Sequence, residues 1–337
     1  MIAVTGSTGE LGGRIAAGLA KKGVPQRLIV RDPKRAPKLT GAEVAQASGY
    51  TDIKNLGRAL SGVETLMMTP AHDIIAYSRL WAGAGTLFSV KTDEDVAKLR
   101  LDAEKRGAMP PYNRVEQHKA LIYAAAAVGV ERIIYVSTMN AAEDSTFILG
   151  HDHYQTEQLI RNAGLKYTFL RFCLYADRVA AHCSLDGVMR GAAGNGRAAW
   201  VARDDVAEVA VVALTEKGHD NQTYDVTGPE ALTMYETVDV LSKAAGRKIT
   251  YQPQTPHEGR VNRSVSGLDY YEAERQALTG HGVSDLEVDI LVSHFHQIAT
   301  GELEPASDTV PKLTGHKAQS LAEYLDKHPE SYKHLLP

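Results

Sequence analysis

A glycine-rich turn near the N-terminus constrains the fold of this chain more than any other feature. The turn reads Thr5-Gly6-Ser7-Thr8-Gly9-Glu10-Leu11-Gly12. It follows the apolar run 2–4 and opens a helical pattern over 11–22. Its three glycines permit a tight turn, a close backbone approach to pyrophosphate and close packing of helix on strand. Because a helix N-terminus offers unpaired N–H groups to phosphates, we expect Gly6 to Gly12 to bind a dinucleotide.

Six short apolar runs alternate with helical patterns through the first two-thirds of the chain. They lie at 2–4, 27–30, 43–45, 65–68, 132–136 and 167–170. Short runs that are apolar throughout are typical of a parallel sheet buried on both faces. The pattern predicts an α/β fold with a doubly wound parallel sheet and a smaller, mainly helical C-terminal substrate lobe. We expect the Rossmann domain over 1–175 and 191–230, and the substrate lobe over 176–190 and 231–337.

One segment, 77–113, is too long for an ordinary strand-to-helix connection. It contains a helical pattern over 93–106 and several large apolar residues. It leaves the sheet soon after Thr69-Pro70-Ala71, at the carboxyl edge where doubly wound sheets bind ligands. We therefore expect Thr69, Pro70 and Ala71 to border the cofactor and 77–113 to form a lid over the cleft. An oligomer contact is the alternative for this segment.

Basic residues follow the second predicted strand. Enzymes specific for NAD usually place a carboxylate at this strand end, whereas an arginine suits the 2′-phosphate of NADP. Arg31 stands at that position and Arg35 lies four residues further on. Asp32 could repel the phosphate, and we expect its side chain to point away. The cofactor predicted from these residues is NADP(H), with a solvated surface role as the alternative for Arg31.

The composition of the chain limits the kinds of partner that the protein is expected to bind. The chain has 337 residues, a formal net charge of −4 and no basic block, which argues against nucleic acid. Two cysteines without CxxC spacing favour a reducing compartment, and no apolar run reaches membrane-spanning length. Histidines two residues apart, as at His151 and His153, do not share a helix face, so no metal site is expected. We expect a cytoplasmic protein that acts on a small molecule, and the sequence allows a homodimer.

Several blocks of sequence resemble the NmrA-like branch of the atypical short-chain dehydrogenase/reductases, and within it the quinone-reductase and triphenylmethane-reductase types. The blocks are the glycine-rich turn with Arg31-Asp32-Pro33, His153-Tyr154-Gln155-Thr156-Glu157, Lys166 to Arg171, Gly191 to Gly196, Arg203 to Ala207, and Lys312 to Gly315 with Ser320-Leu321. The resemblance covers nearly the whole chain except 77–113. It implies an NADP-binding Rossmann domain and, in many members, reduction of quinones, dyes or other conjugated electrophiles. Some members instead bind the dinucleotide as redox sensors without catalysis.

The chain departs from the family where hydride transfer would occur. The usual Tyr-x-x-x-Lys pair reads Leu149 and His153, and relatives often show Asn where Phe172 stands. His153 is therefore the leading catalytic residue, as proton donor, with a ribose contact or a structural role as alternatives. Thr138 and Tyr175 are further catalytic candidates, each with a structural alternative. Ser137, Phe172 and His153 are expected to contact the cofactor.

These features together predict an NADPH-dependent oxidoreductase that transfers hydride to a small conjugated, carbonyl or imine-type substrate such as a quinone, dye, imine, aldehyde or ketone. A non-catalytic NADP(H)-binding redox sensor is the alternative. An isomerase or lyase that retains its dinucleotide is a third hypothesis, because the fold does not fix the reaction.

Overall fold

The structure is a computed structural model, and it describes residues 1–47, 49–50, 52–70, 114–259 and 285–336. The expected lid 77–113, its helix 93–106 and Ala71 lie outside the described residues.

Seven parallel strands form the central sheet in the order β3-β2-β1-β4-β5-β6-β9. The strands of this sheet are β1 Ile2–Thr5, β2 Gln26–Val30, β3 Ala42–Gln46, β4 Thr65–Met68, β5 Arg132–Thr138, β6 Lys166–Phe172 and β9 Gln222–Val226. All six expected strands are present, and β9 adds a seventh at the edge.

Helices cover both faces of the sheet. One face carries α1 Glu10–Lys21 and α5 Arg203–Thr215, which pack on each other. The other face carries α2 Ile53–Leu60, α3 Arg114–Ala127 and α4 Ile148–Asn162. Successive strand residues alternate between these faces, so Val4 joins the core under α1 and Ala3 the core under α2 and α3. The predicted doubly wound α/β class is confirmed.

The C-terminal region is mainly helical, as expected. Its helices are α6 Met234–Ala245, α7 Asp285–Ala299, α8 Thr309–Thr314 and α9 Leu321–Lys327, with a 3-10 helix at Pro329–Leu335. Two small two-stranded sheets join β7 Val188–Gly191 to β11 Thr250–Pro253 and β8 Arg197–Ala198 to β10 Leu232–Thr233. Apolar residues of α6 and α9 share one core cluster with α1 and α5. The division into two lobes stays a prediction.

The connectivity of the sheet fixes where a ligand fits. The chain runs from β1 outward to β2 and β3, and then crosses back to place β4 on the other side of β1. In doubly wound sheets, ligands bind at the carboxyl edge over such a reversal. The residues that directly follow β1, β2, β4, β5 and β6 therefore lie along one edge of the sheet, where we expect the ligand crevice. Within the described part of the chain, no helix is long and apolar enough to cross a membrane.

Candidate dinucleotide and substrate site

The turn after β1 depends on glycine at two positions. Gly6 has a φ of +65°, and a Cβ there would lie 2.1 Å from the Thr69 hydroxyl oxygen. A Cβ on Gly12 would lie 2.3 Å from the Gly6 carbonyl oxygen, which also accepts a 2.9 Å hydrogen bond from the Gly9 N–H. The first turn of α1 thus packs directly against the loop that precedes it, and the space between them is too small for a side chain.

Hydrogen bonds tie the ends of β1 and β4 together beneath this turn. The Thr69 hydroxyl donates to the Thr5 carbonyl at 3.1 Å, and the Thr69 N–H donates to the Thr5 hydroxyl at 3.1 Å. Thr69 and Pro70 directly follow β4, at the floor of the predicted crevice. Because the Thr69 hydroxyl is engaged with Thr5, it fixes the shape of the turn.

Several polar groups of the turn remain available to a ligand. Ser7 is buried, and its hydroxyl has no hydrogen-bond partner in the described part of the structure. Thr8, Gly9 and Glu10 are exposed, whereas Leu11 packs into the core. No side chain of the described residues caps α1, so its first N–H groups have no side-chain acceptor there. This pattern is what a phosphate group requires at a helix N-terminus.

The Glu10 carboxylate is engaged away from the turn. It accepts a 2.7 Å hydrogen bond from Arg14, which holds its pKa below the ordinary value. Arg14 also donates to Asp204 at 2.8 Å and so links α1 to α5. The Glu10 side chain therefore supports the contact of Arg14 that joins these two helices.

The end of β2 carries exposed cationic groups. Arg31 follows the last strand residue, and Arg35 ends a 3-10 helix over Pro33–Arg35. Among the described residues, neither arginine has an ion-pair or hydrogen-bond partner for its guanidinium. The Asp32 carboxylate caps the 3-10 helix by accepting from the Lys34 N–H at 3.0 Å. Because Asp32 caps this helix, its carboxylate has a structural reason to lie beside the two arginines.

An aromatic stack stands at the ends of β5 and β6. Thr138 and Phe172, the last residues of these strands, are direct neighbours in the sheet. The Phe172 ring stacks on the Tyr175 ring with centroids 4.3 Å apart and planes 9° apart. The Arg203 guanidinium covers the other face of Tyr175, 3.8 Å from the ring centroid, and its Nε donates to Asp177 at 2.8 Å.

This stack leaves the Tyr175 hydroxyl unengaged by any described residue. Burial raises the pKa of Tyr175, and the cation on its ring face opposes that rise. The phenol therefore keeps its proton at neutral pH. A rigid ring with a protonated hydroxyl can donate a hydrogen bond to a substrate oxygen at the carboxyl edge.

His153 lies on the second turn of α4 and is buried. Its Nδ1 is 2.8 Å from the Tyr135 hydroxyl of β5. Next to it, the Thr156 hydroxyl lies 2.8 Å from Nδ1 of His118 on α3. The block His153 to Glu157 contains a predicted catalytic residue, yet its histidine and threonine lie in a buried polar cluster with Tyr135 and His118.

The glutamate of the same block has a structural partner. Glu157 is fully buried, and it accepts a 2.7 Å hydrogen bond from Ser137 and bonds of 2.9 and 2.7 Å from Arg171. Burial alone would lower the pKa of Arg171, but this carboxylate holds it above the ordinary value. Arg171 also donates to the Ala141 carbonyl at 3.1 Å, which anchors the loop after β5. The Ser137 hydroxyl proton is therefore engaged inside the protein.

The C-terminal region holds the loop between β5 and α4. Glu302 accepts hydrogen bonds from the Thr146 N–H at 3.0 Å and the Thr146 hydroxyl at 2.6 Å. The Phe147 ring stacks on His294 of α7, with centroids 4.6 Å apart. Because this loop begins next to Thr138, these contacts set the position of one wall of the crevice.

Two partners in this site were not found from the sequence. Tyr135 contacts His153 and Arg203 covers Tyr175, although each pair is separated by more than fifteen positions along the chain. A tyrosine inside an otherwise aliphatic strand was a signal for the first pair. Arg203 belonged to a recognised block but had no role assigned. In the described ranges, no three His, Cys, Asp or Glu side chains are grouped in a way that could hold a metal ion.

Comparison with known proteins identifies the family. Residues 6–217, more than half of the chain, match the family described as NAD(P)H-binding. The chain belongs to this family. The match begins inside the glycine-rich turn and ends just beyond α5, so it spans most of the crevice described above.

Full-length relatives are oxidoreductases. The chain is 28% identical to the NAD(P)H azoreductase of Xenophilus azovorans, over 98% of this chain and 99% of the relative. It is 30% identical to quinone oxidoreductase 2 of Escherichia coli, over 96% of each protein. The crystal structure of the Escherichia coli NADPH-dependent quinone oxidoreductase with NADPH superposes with a TM-score of 0.74, at 29% identity and with 97% and 99% of the two chains covered.

A third relative completes the comparison. The Citrobacter triphenylmethane reductase complexed with NADP(H) superposes with a TM-score of 0.72, at 28% identity and with all of both chains covered. The resemblance inferred from the sequence blocks is confirmed. The comparisons also confirm the predicted class, an NAD(P)H-dependent oxidoreductase, and the prediction of a nicotinamide dinucleotide as its cofactor.

Proposed function

We propose that this protein is an NADPH-dependent reductase of small, flat, conjugated electrophiles such as quinones, dyes and imines, with aldehydes or ketones as further substrates. The observation that carries the proposal is the stack of Phe172, Tyr175 and Arg203 next to Thr138, at the carboxyl edge of a family-typical dinucleotide fold. The azoreductase, quinone oxidoreductase and triphenylmethane reductase relatives are each named for conjugated substrates of this kind.

The chain fits a dinucleotide on structural grounds. The turn leaves no room for a Cβ on Gly6 or Gly12, and the buried Ser7 hydroxyl has no partner among the described residues. Gly6 to Gly12 would hold the pyrophosphate through backbone N–H groups. Thr69 and Pro70 would border it at the end of β4. When bound, the cofactor supplies a hydride.

Specificity for NADPH is assigned to the end of β2. Arg31 and Arg35 place two exposed guanidinium groups where the adenine ribose lies in such folds. An arginine can bind a phosphate with two parallel hydrogen bonds. The Asp32 carboxylate is engaged with Lys34, so it does not have to face the phosphate.

At the other end of the crevice, Thr138, Tyr175 and His153 would act on the substrate. Hydride transfer needs orientation and exclusion of water more than acid catalysis when the acceptor is a quinone or cationic dye. A ketone needs a positioned proton donor. Tyr175 and Thr138 offer hydroxyl groups for orienting an oxygen, and His153 is the proposed proton donor. Phe172 would border the nicotinamide.

A redox sensor remains the second function, favoured by Leu149 at the position of the usual catalytic tyrosine. A sensor would bind the dinucleotide and reduce nothing. Turnover separates the two functions. NADPH oxidation should be measured against a panel of quinones, dyes, imines and aldehydes, and turnover of at least one class is expected. Tight NADPH binding without turnover across the panel would favour the sensor.

Arg31→Ala tests the cofactor assignment. Loss of a charge-assisted phosphate contact should cost about 1.5–3 kcal/mol, which raises the Kd for NADPH about ten- to a hundredfold and leaves that for NADH unchanged. Arg58→Ala, which removes an exposed arginine from α2, is the matched control. Equal wild-type affinity for NADPH and NADH would refute the assignment.

A further inference from the structure

Strand β6 carries a stack of two aromatic rings and an arginine at each of its ends. At the amino end, the Tyr167 ring stacks on Phe169 with centroids 4.3 Å apart, and the Arg161 guanidinium lies 5.0 Å from the Tyr167 centroid. The second stack follows the carboxyl end of the strand. Because doubly wound sheets bind their ligands at the carboxyl edge, the second stack is the one placed to meet a substrate.

The carboxyl-end stack, formed by Phe172, Tyr175 and Arg203, covers both faces of its tyrosine ring. The Phe172 ring lies parallel to that ring at 4.3 Å, and the Arg203 guanidinium lies 3.8 Å from its centroid on the other side. Tyr175 is nevertheless only half-buried, and no described residue engages its hydroxyl. A ring that is covered on both faces can meet a ligand only with its edge, and this edge carries the hydroxyl group.

Arg203 is tethered more firmly than an ordinary surface arginine. Its Nε donates to the two carboxylate oxygens of Asp177 at 2.9 and 2.8 Å, and the two side chains are 16% and 20% exposed. The backbone on either side of Tyr175 is bonded to Val201 by two hydrogen bonds of 2.9 Å. Since Val201 lies two residues before Arg203, the ring and the cation are fixed relative to each other.

Helix stability does not explain an arginine at this position. Arg203 is the first residue of α5. The N-terminus of a helix carries partial positive charge, so a cation there is unfavourable, whereas the acidic residues Asp204 and Asp205 that follow are favourable. The favourable contacts of this arginine therefore lie outside its helix, with Asp177 and the Tyr175 ring.

We propose that Tyr175 is the residue that recognises a hydrogen-bond acceptor in the substrate, and that Asp177 and Arg203 are the positioning residues that hold its hydroxyl edge. This inference rests on the proposed function and divides its substrates into two classes. Quinones, aldehydes and ketones have an oxygen on which negative charge develops when they accept a hydride. A cationic triarylmethane dye becomes neutral when it accepts a hydride and develops no such oxygen.

The step balances without transfer of a proton from Tyr175. A ketone that accepts a hydride becomes an alkoxide, and a quinone becomes the anion of a hydroquinone. The Tyr175 hydroxyl donates a hydrogen bond to that oxygen and keeps its proton, since burial raises its pKa. Water, directly or through His153, supplies the proton that completes the alcohol or hydroquinone.

Tyr175→Phe should separate the two substrate classes. With the quinone menadione, we expect kcat/KM to fall about ten- to a hundredfold, because a hydrogen bond to a developing oxyanion is lost. With the triarylmethane dye crystal violet, kcat/KM should stay within about twofold of the wild type, because no interaction specific to its transition state is removed. The dye is an internal control, since its reduction needs the same fold and cofactor. An equal loss for the two substrates would overturn the proposal.

Substitutions of Arg203 test the positioning. Arg203→Met removes the cation and its ion pair, and should lower kcat/KM for menadione about tenfold without affecting crystal violet. In the Tyr175→Phe background the same substitution should cost less than about twofold, because Arg203 acts through the ring. Arg203→Lys keeps a cation beside the ring and should recover about threefold of the loss. An equal cost of Arg203→Met in both backgrounds would refute the positioning.

Tyr167→Phe is the matched control, because it removes the hydroxyl of the tyrosine that is stacked at the amino end of β6. Its kcat/KM should match the wild type for both substrates. Unfolding midpoints of all variants separate loss of fold from loss of recognition.

Binding without turnover separates this inference from the proposed function. The protein saturated with NADP⁺ has no hydride to transfer, so titration with menadione or crystal violet measures recognition alone. Tyr175→Phe should raise the Kd for menadione about threefold or more and leave that for crystal violet unchanged. If the wild type reduces only one probe or neither, this difference in binding decides the inference. Its presence supports recognition by Tyr175 even where the proposed function fails, and its absence refutes the recognition.

Discussion

Two regions at the same edge of the sheet satisfy their polar groups in opposite ways. In the segments that follow β1 and β2, the Ser7 hydroxyl, the first N–H groups of α1 and the Arg31 guanidinium have no partner among the described residues. Under β5 and β6, Ser137 and Arg171 are bonded to Glu157. Unsatisfied polar groups are costly, so a site that keeps them must recover that cost when a ligand binds.

The comparison also changes how a sequence motif is interpreted. The His-x-x-Thr-Glu block resembles a catalytic signature, yet each of its three polar residues contacts another protein group. His153 contacts Tyr135, Thr156 contacts His118, and Glu157 holds Arg171. The block therefore builds the wall of the site through contacts inside the protein. In the turn, by contrast, the motif residues that stay unbonded are the ones assigned to the cofactor.

The largest effect is expected where the network is broken. Glu157→Gln removes the buried carboxylate charge that pairs with Arg171, and should lower the free energy of unfolding by about 3 kcal/mol. Chemical denaturation of the protein without cofactor measures this loss. Glu116→Gln, at an exposed glutamate 3.7 Å from Lys119, should change stability by less than about 0.5 kcal/mol. A similar, small effect for both variants would mean that the network is not what stabilises this wall.

The next effect is expected in the turn. Gly12→Ala places a Cβ 2.3 Å from the Gly6 carbonyl oxygen, so the loop must shift away from its cradle shape. Strain of this kind typically costs about 1–3 kcal/mol, and we expect the Kd for NADPH to rise up to about a hundredfold. Isothermal titration measures the affinity.

Gly13→Ala is the neighbouring control, because its Cβ would lie 3.3 Å from the Ser7 carbonyl and require only a small adjustment. Its affinity should remain within about threefold of the wild type. If Gly12→Ala binds NADPH normally, the close contact between helix and loop does not shape the site.

The same contrast explains how far the sequence could predict the structure. Strands β1, β2, β4, β5 and β6 were found because each contains an apolar run with at least three buried residues. Strand β3 has no fully buried residue, and the weaker run 43–45 was its only signal. Strand β9 was missed because its residues Gln222–Val226 are mostly polar and only Val226 is buried. Strands β7, β8 and β10 were missed because strands of two to four residues carry little periodic signal, whereas the strand-like run 248–252 overlaps β11.

The predictable site residues are those whose geometry depends on the local sequence, and the others depend on contacts between separate elements. The glycine turn could be predicted because its geometry is local and depends on backbone conformation at 6 and 12. The contacts of Tyr135 with His153 and of Tyr175 with Arg203 arise only when separate elements pack together. Sequence could place Ser137 at a strand end but could not show that its hydroxyl is bonded to Glu157.

Ser7 and Ser137 give the finest test of the comparison, because both are buried serines at the end of a strand and both were expected to contact the cofactor. Ser7→Ala removes a hydroxyl that has no partner, so the protein without cofactor should be no less stable. Its Kd for NADPH should rise about tenfold, since a phosphate contact is lost.

Ser137→Ala removes a 2.7 Å bond to the Glu157 carboxylate and should lower stability by about 1–2 kcal/mol. Its NADPH affinity should stay near that of the wild type. Thermal unfolding and titration should show that Ser7→Ala lowers NADPH affinity but not stability, whereas Ser137→Ala lowers stability but not NADPH affinity. Equal loss of affinity in the two variants would show that Ser137 also faces the cofactor, and the two regions would then not differ in the way proposed.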